Sequence, residues 1–351
     1  MMFQFFLILV CFKSILNCVI LFIGSFVKIF AMRTRYLLYI AIAILIVSCT
    51  SSTNNDSSQT TYRIATLKGP SSMGMIKLID SLKSSSSSKI EVIILNEPIQ
   101  VRKMMLDGTA DFAILPTTMA AIVYNKGMDY QLVGIPVWGT LSLLGTDSTI
   151  AQWSQLKGKR IHVMAKGMTP DVMFRFLLLK NGVNPDTDVA IDYSFPTHID
   201  MANAVAAGKV ELGVLSEPLA SQVLQKRSNV RLIFDFNDEW FKQQGSPIAF
   251  TAFMVRKDIA KNNRALVEEI ANGYEKSSVW VNQNPDSAAD LMVKYEVLPN
   301  REVALQAIPR ANLKFVRARE IKSQIDDFLN VFYQMNPDIV GGKMPDEDFI
   351  Y

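Results

Sequence analysis

Two short loops hold the residue types best suited to gripping a small ligand. Lys68-Gly69-Pro70-Ser71-Ser72 follows the apolar run 64–67, and Lys166-Gly167-Met168-Thr169-Pro170 follows the apolar run 161–164. Each pairs a cation with a glycine that lets a ligand approach the backbone. Each also opens a helix-like stretch, whose first N–H groups lack intrahelical partners and attract negative charge. That chemistry suits an anionic or zwitterionic group, with Lys68 and Lys166 as charge partners. A second pair of turns repeats the pattern. Gly108-Thr109-Ala110-Asp111 precedes a strand over 112–115 and then Pro116-Thr117-Thr118. At an offset of one hundred, Gly208-Lys209-Val210-Glu211 precedes a strand over 212–215 and then Ser216-Glu217-Pro218. Thr117 and Ser216 either cap the helices that follow or face the ligand, and one residue can do both.

Two further segments sit where the chain is expected to cross between halves. Trp138-Gly139-Thr140 ends a strand at the first crossing, and Phe250-Thr251 lies on the return. Trp138 forms an aromatic wall of a pocket or packs between sheet and helix; Phe250 and Thr251 are ligand-contact candidates. Tyr193 and Phe195 read as core or cleft rim. Signals for catalysis are weak. His162 lies inside an apolar strand and reads as buried, and His198 follows Pro196-Thr197 at a helix start. No Cys/His metal spacing, Gly-x-Ser-x-Gly, dinucleotide glycine pattern or P-loop occurs. Glu217 has the chemistry of a general base, but nothing in the sequence pairs it with a nucleophile. The reading is therefore a binding protein with no catalytic residues, no metal and no cofactor.

The elements that must position these residues alternate strand and helix, which argues for α/β architecture with mainly parallel sheets. Strands are expected over 62–67, 91–95, 111–115 and 131–138, with helices over 73–82, from Pro98 to before Gly108, and over 117–125. The second unit has strands over 161–164, 189–193, 211–215 and 230–235, and helices over 171–181, 200–207 and 219–226. A strand over 248–255 returns to the first sheet, followed by helices over 258–282, 286–295 and 320–335. Lobe 1 is then 62–143 plus 247–351, and lobe 2 is 144–246. A ligand belongs in the cleft between them, because open α/β sheets bind at their strand C-terminal ends.

The overall charge misleads until the chain is cut at Cys49. Four of the 36 basic residues (Lys13, Lys28, Arg33 and Arg35) precede Cys49, and none of the 33 acids does, which leaves 32 against 33. A chain so balanced gives no argument for nucleic acid. The same cut removes Cys11 and Cys18, so no disulfide framework can form. Met32-Arg33-Thr34-Arg35 and the 12-residue apolar run over 36–47 read as a signal peptide over 32–48. A helix of that length reaches about 18 Å against a hydrocarbon core of about 30 Å. Ile46-Val47-Ser48-Cys49 reads as a lipidation site at Cys49. The polar stretch over 49–61 reads as a disordered tether. Residues 1–31 read as a mis-assigned start or an extra apolar segment.

Taken together, Leu67-Lys68-Gly69-Pro70, Gly108-Thr109-Ala110-Asp111 with Pro116-Thr117, and Trp138-Gly139 give the chain a familiar order. Leu156-Lys157-Gly158-Lys159-Arg160, Glu217-Pro218-Leu219-Ala220 and Trp280-Val281-Asn282-Gln283-Asn284-Pro285 extend it. The chain resembles the solute-binding proteins of ABC importers, of the nitrate/sulfonate/taurine and thiamine-precursor type. The resemblance implies a two-lobed type II periplasmic-binding-protein fold that closes by a two-crossing hinge over a small solute. It also implies a membrane permease as partner, and a monomeric lipoprotein facing the periplasm or cell exterior. No arginine suited to a sulfonate stands in the loops named. Two other classes share the fold. An enzyme such as a pyrimidine synthase or a menaquinone-pathway lyase is expected in the cytoplasm, against the lipidation site. A sensor input domain is expected to carry a membrane exit, which the sequence after residue 335 does not provide.

Overall fold

The structure, a computed structural model, describes residues 61–85 and 88–351. The signal-peptide, Cys49 and tether readings fall on residues outside this range, as does the middle of the serine run 84–88. In chain order the first elements are β1 (Tyr62–Leu67), α1 (Pro70–Gly74), α2 (Ile76–Ser84), β2 (Ile90–Leu95), α3 (Pro98–Leu106), β3 (Phe112–Pro116), α4 (Thr117–Asn125) and β4 (Tyr130–Val137). The second group is β5 (Leu141–Gly145), β6 (Arg160–His162), α5 (Thr169–Lys180), β7 (Ala190–Asp192), α6 (His198–Ala206), β8 (Leu212–Ser216), α7 (Leu219–Lys226), β9 (Arg231–Asp235) and α8 (Phe236–Gln244). The chain then returns through β10 (Thr251–Arg256), α9 (Lys257–Asn262), α10 (Arg264–Gln283), α11 (Pro285–Lys294), α12 (Arg301–Ala307), β11 (Leu313–Arg317) and α13 (Lys322–Met335).

The elements build two sheets, ordered β11-β4-β10-β3-β1-β2 and β7-β6-β8-β5-β9. Read from the opposite edge, the second sheet matches the first place for place once β11 is set aside. In each, the strand beside β3 or β8 arrives from the other half of the chain and runs antiparallel to both neighbours. The repeat visible in the turns is thus a repeat of topology. The sheets are mixed rather than mainly parallel: β1·β2, β1·β3, β6·β7 and β6·β8 pair in parallel, whereas β3·β10, β4·β10, β4·β11, β5·β8 and β5·β9 are antiparallel.

Strand alternation explains the core. On β3 and β10, Phe112, Ile114, Phe253 and Val255 point to one face, where Val267, Ile270 and Tyr274 of α10 cover them. Ala113, Leu115, Ala252 and Met254 point to the other, against Val101 and Met105 of α3 and Met119 and Val123 of α4. Both faces are buried, so these strands read as continuous apolar runs. In the second lobe Trp153 stacks on Phe234 with ring centroids 4.5 Å apart, and Phe174 stacks on Phe236 at 5.9 Å.

Four features differ from the sequence expectation. Leu141–Gly145, which overlaps the crossing expected near 138–144, is a strand of the second sheet. Phe236–Gln244 is a helix, with Asp235 accepting the Asn237 N–H at 2.8 Å. The helix expected over 258–282 breaks at Asn263, whose side chain caps the second piece through Leu266 N–H. Finally, α12 and β11 form between the expected last two helices. After β11 the chain crosses again, and Phe328 and Phe332 of α13 pack on Trp240 of α8. It then returns, pairing Ile350 with Leu132 of β4. Among the described residues no helix is long and apolar enough to cross a membrane.

Candidate functional site

The turns that follow β1, β2 and β3 in one sheet and β6, β7 and β8 in the other line a single cavity of about 870 Å³. Parallel strands bring their C-terminal ends to one edge, so the first turns of the helices that follow face the cavity. Of the residues named from sequence, Lys68, Pro70, Ser71, Pro116, Met168, Thr169, Pro170, Ser216, Glu217, Pro218, Phe250 and Thr251 lie on its wall. The others do not line it, and Lys166 and Gly167 are exposed. Ser72 Oγ accepts the Gly69 N–H at 3.2 Å and donates to the Gly69 carbonyl at 3.0 Å. Thr117 is buried, and its N–H donates to Phe250 O at 3.1 Å. Trp138 Nε1 donates to Lys314 O at 2.6 Å, and Gly139 O accepts from Asn312 Nδ2 at 2.8 Å. Lys166 lies over the Tyr193 ring at 5.1 Å, and Gly167 N–H donates to Asp171 Oδ2 at 2.8 Å.

Polar contacts join the two lobes around the cavity. Thr118 Oγ1 of α4 and Thr169 Oγ1 of α5 are 2.8 Å apart, as are Thr140 Oγ1 and Ser216 Oγ at the crossing. Glu217, with a side chain only 1% exposed, takes Arg310 Nε at 2.8 Å. Its other oxygen accepts from Ser221 Oγ at 2.6 Å, and Arg310 also donates to Ser221 Oγ at 2.7 Å. Arg310 follows α12 in the first lobe and Glu217 follows β8 in the second, so this cluster spans the cleft. Burial pushes the Glu217 carboxyl up, while Ser221 and Arg310 pull it down. Arg310 does not stand in the loops searched by sequence, and no spacing pointed to it.

Further wall residues come from two turns outside the ligand-contact candidates, the second of them the helix start at which the sequence placed His198. Asn96-Glu97-Pro98-Ile99 after β2 and Pro196-Thr197-His198-Ile199 after β7 line the cavity at equivalent places in the two sheets. Asn96-Glu97-Pro98 also echoes Ser216-Glu217-Pro218, a signal available in the sequence. Loss of hydration raises Glu97, with Asp200 adding to the effect. Loss of hydration likewise lowers His198 to about 4, leaving it neutral at pH 7. The wall carries Lys68 and Lys226 against Glu97, Glu217 and Glu296, the rest being uncharged side chains and mostly apolar. Thr251 is 5% exposed at this wall, and its buried hydroxyl has no hydrogen-bond partner in the protein. A buried polar group without a protein partner marks a place where a ligand or water supplies one. Among the described residues no group of His, Cys, Asp and Glu side chains is arranged to hold a metal ion.

Comparison with known proteins agrees with this architecture. The protein YtlA of Bacillus subtilis (strain 168) is 26% identical over 191 residues, 53% of this chain and 54% of that protein. The chain thus spans about half the length of the curated relative it matches. An ABC transporter structure from Parabacteroides distasonis superposes with a TM-score of 0.73 at 26% identity, covering 83% of this chain and 99% of the other. The aliphatic sulphonate binding protein SsuA of Escherichia coli shares the fold, with a TM-score of 0.67 at 20% identity over 83% and 92% of the two chains. So does the nitrate-binding protein NrtA of Synechocystis PCC 6803, with 0.58 at 15% identity over 80% and 84%. A family model described as "ABC transporter, phosphonate, periplasmic substrate-binding protein" matches residues 71–291. That match covers well over half of the sequence, and the chain belongs to this family of periplasmic substrate-binding proteins of ABC transporters.

Proposed function

We propose that this protein captures a small solute in the interlobe cleft and delivers it to the membrane permease of an ABC import system. It works outside the cytoplasm as a monomer, tethered by a lipid on Cys49, and catalyses no reaction. The observation that carries the reading is the convergence of six strand-end turns, three from each sheet, on one cavity bridged by Thr118–Thr169 and Glu217–Arg310. Such a site is completed only when the lobes are together, so a ligand that touches both walls favours the closed form by its differential affinity.

The loops call for an anionic or zwitterionic solute. With the wall charges nearly balanced and its surface mostly apolar, we take the zwitterionic form, with an apolar body and its negative end at Lys68. A thermal-shift screen of amino acids, betaines, pyrimidines and neutral aromatics tests this. At about one hundred times Kd a ligand adds about 2.7 kcal/mol to stability, which is readily seen as a raised Tm. Lys68→Ala should weaken the hit by about one to two decades, the worth of a charge-assisted hydrogen bond. A hit indifferent to Lys68→Ala overturns the assignment of the negative end. Lipidation is tested separately by mass spectrometry of the N-terminal peptide, and an unmodified Cys49 would overturn it.

A further inference from the structure

The cavity does not end at the strand-end turns. It continues along one face of each of two helices in the second lobe. Ile199, Ala202, Asn203 and Ala206 line it from α6, and Leu219, Gln222, Val223 and Lys226 line it from α7. Both sets have the spacing i, i+3, i+4, i+7, which is a single helix face about 10 Å long. The strands before these helices both pair in parallel with β6, so α6 and α7 pack side by side and lead away from the strand ends. Arg227 Nη1 donates to Val205 O at 2.8 Å, which joins their far ends. Val293 and Val297, at the end of α11 and just after it, line the same cavity from the first lobe. Among the described residues seven large apolar side chains are exposed, and three of them, Ile99, Ile199 and Val293, stand on this one wall. Single exposed apolar residues are ordinary, whereas a group of them around one opening marks a surface that something covers.

We infer that the solute carries an aliphatic chain, which lies along α6 and α7 while its polar head sits at the strand-end turns. The inference rests on the solute-capture reading and names the body of that solute. Size decides against a compact ligand. A cavity of about 870 Å³ lies near the top of the range that encloses a drug-sized molecule, and a small head at the turns would leave both helix faces wet. Covering an apolar face is favourable for an apolar group, and the short side chains of Ala202 and Ala206 leave room for one on α6. Lys226, which is exposed, marks where the groove meets water. A helix face of about 10 Å holds a chain of about eight carbons before it emerges there. Because the groove has one wall in each lobe, the chain also favours the closed form.

The test is titration calorimetry of the full-length protein with two series of amphiphiles, each kept below its micelle-forming concentration. The series are N-alkyl-N,N-dimethylglycines and n-alkanoates, with tails graded from short to beyond the groove. Within a series that binds, Kd should fall about two- to fourfold per added methylene and level off at about eight carbons. A Kd that ignores tail length, or rises with it, overturns the inference. Ala206→Phe supplies the second arm, since it sets a ring across the far half of the groove at a half-buried position. The levelling-off should then move to about four carbons. A folded variant that levels off where the wild type does overturns the inference, because general uptake of apolar compounds would look the same in both; if the variant does not fold, the wild-type series decides alone. Short members that bind with no gain from longer tails defeat the chain and leave solute capture standing. A gain confined to the alkanoates upholds the chain and defeats the zwitterionic head. No binding by either series overturns the chain, and a compact hit in the thermal-shift screen would then still leave solute capture in place.

Discussion

Glu217 shows how residue type and residue role separate. Its place after β8 was readable, because the turn repeats Pro116-Thr117-Thr118 at an offset of one hundred. Its partner was not, since Arg310 lies 93 residues further on and comes from the other lobe. Lys166 and Gly167 show the same limit. Their types fit a ligand, but a sequence does not say that Asp171, four residues on, folds back to use the Gly167 N–H. Two predictions belong to this scale. Arg310→Ala leaves the Glu217 carboxylate buried without its cation, at a cost of about 3 kcal/mol near neutral pH. Burial already raises this carboxyl above 4.5, and removal of Arg310 raises it further. A carboxyl raised on folding contributes stability below its unfolded pKa and loses it as pH rises through the folded one. The deficit of Arg310→Ala relative to wild type should therefore shrink on going from pH 8 to pH 5 in thermal melts, and a deficit independent of pH contradicts the assignment. His198 runs the other way. Its pKa falls from 6.5 to about 4 on folding, so the unfolded chain takes up a proton that the folded one refuses. Stability should decline as pH drops from 6.5 towards 4, and His198→Gln should flatten that part of the profile.

At the scale of elements, long apolar runs were legible and short mixed ones were not. β1, β3 and β10 are buried on both faces, and their residue types announce it. β5 is only Leu-Ser-Leu-Leu-Gly and stands where a crossing was expected, so nothing local marked it as a strand. α8 begins Phe-Asn-Asp-Glu and is held by its Asp235 cap and by Trp240, which is buried by α13 from far along the chain. β11 exists because β4 offers it an edge, which is a tertiary cause that no window of sequence contains. Gly145 gives a prediction here. It ends β5 between β8 and β9, and a Cβ added there would lie 2.5 Å from Leu212 Cδ2, 2.7 Å from Ile233 Cδ1 and 2.9 Å from Glu211 O. The two side chains can shift but the carbonyl cannot without disturbing the ladder. Gly145→Ala should therefore cost about 1–3 kcal/mol, seen as a lower urea midpoint with an unchanged slope. An unchanged midpoint would mean that β5 is not packed as described.

At the scale of the whole molecule, the lobes are tied at more than the two crossing strands. The chain leaves β11 in the first sheet, lays α13 against the second lobe, and comes back to pair Ile350 with Leu132. Trp240 is the centre of that contact, 1% exposed, with ring centroids 5.1 Å from Phe176, 5.6 Å from Phe328 and 6.2 Å from Phe332. It lies outside the cavity wall, so changing it leaves the binding residues in place. Hinge closure concentrates rotation in a few backbone dihedrals while each core stays intact, and a helix packed across both lobes limits how far they part. Trp240→Ala removes the aromatic anchor at a cost of about 3–5 kcal/mol. Thr61–Tyr351 forms one compact unit, and calorimetry of that segment should show a single cooperative transition for the wild type. With Trp240→Ala the second lobe loses its hold on α13, and two transitions should separate. Small-angle scattering should in turn show a larger radius of gyration for the ligand-free variant than for the wild type, as the lobes part more widely. One transition at a lower Tm with an unchanged radius would show that the two crossings alone couple the lobes, and that α13 serves only to bury Trp240.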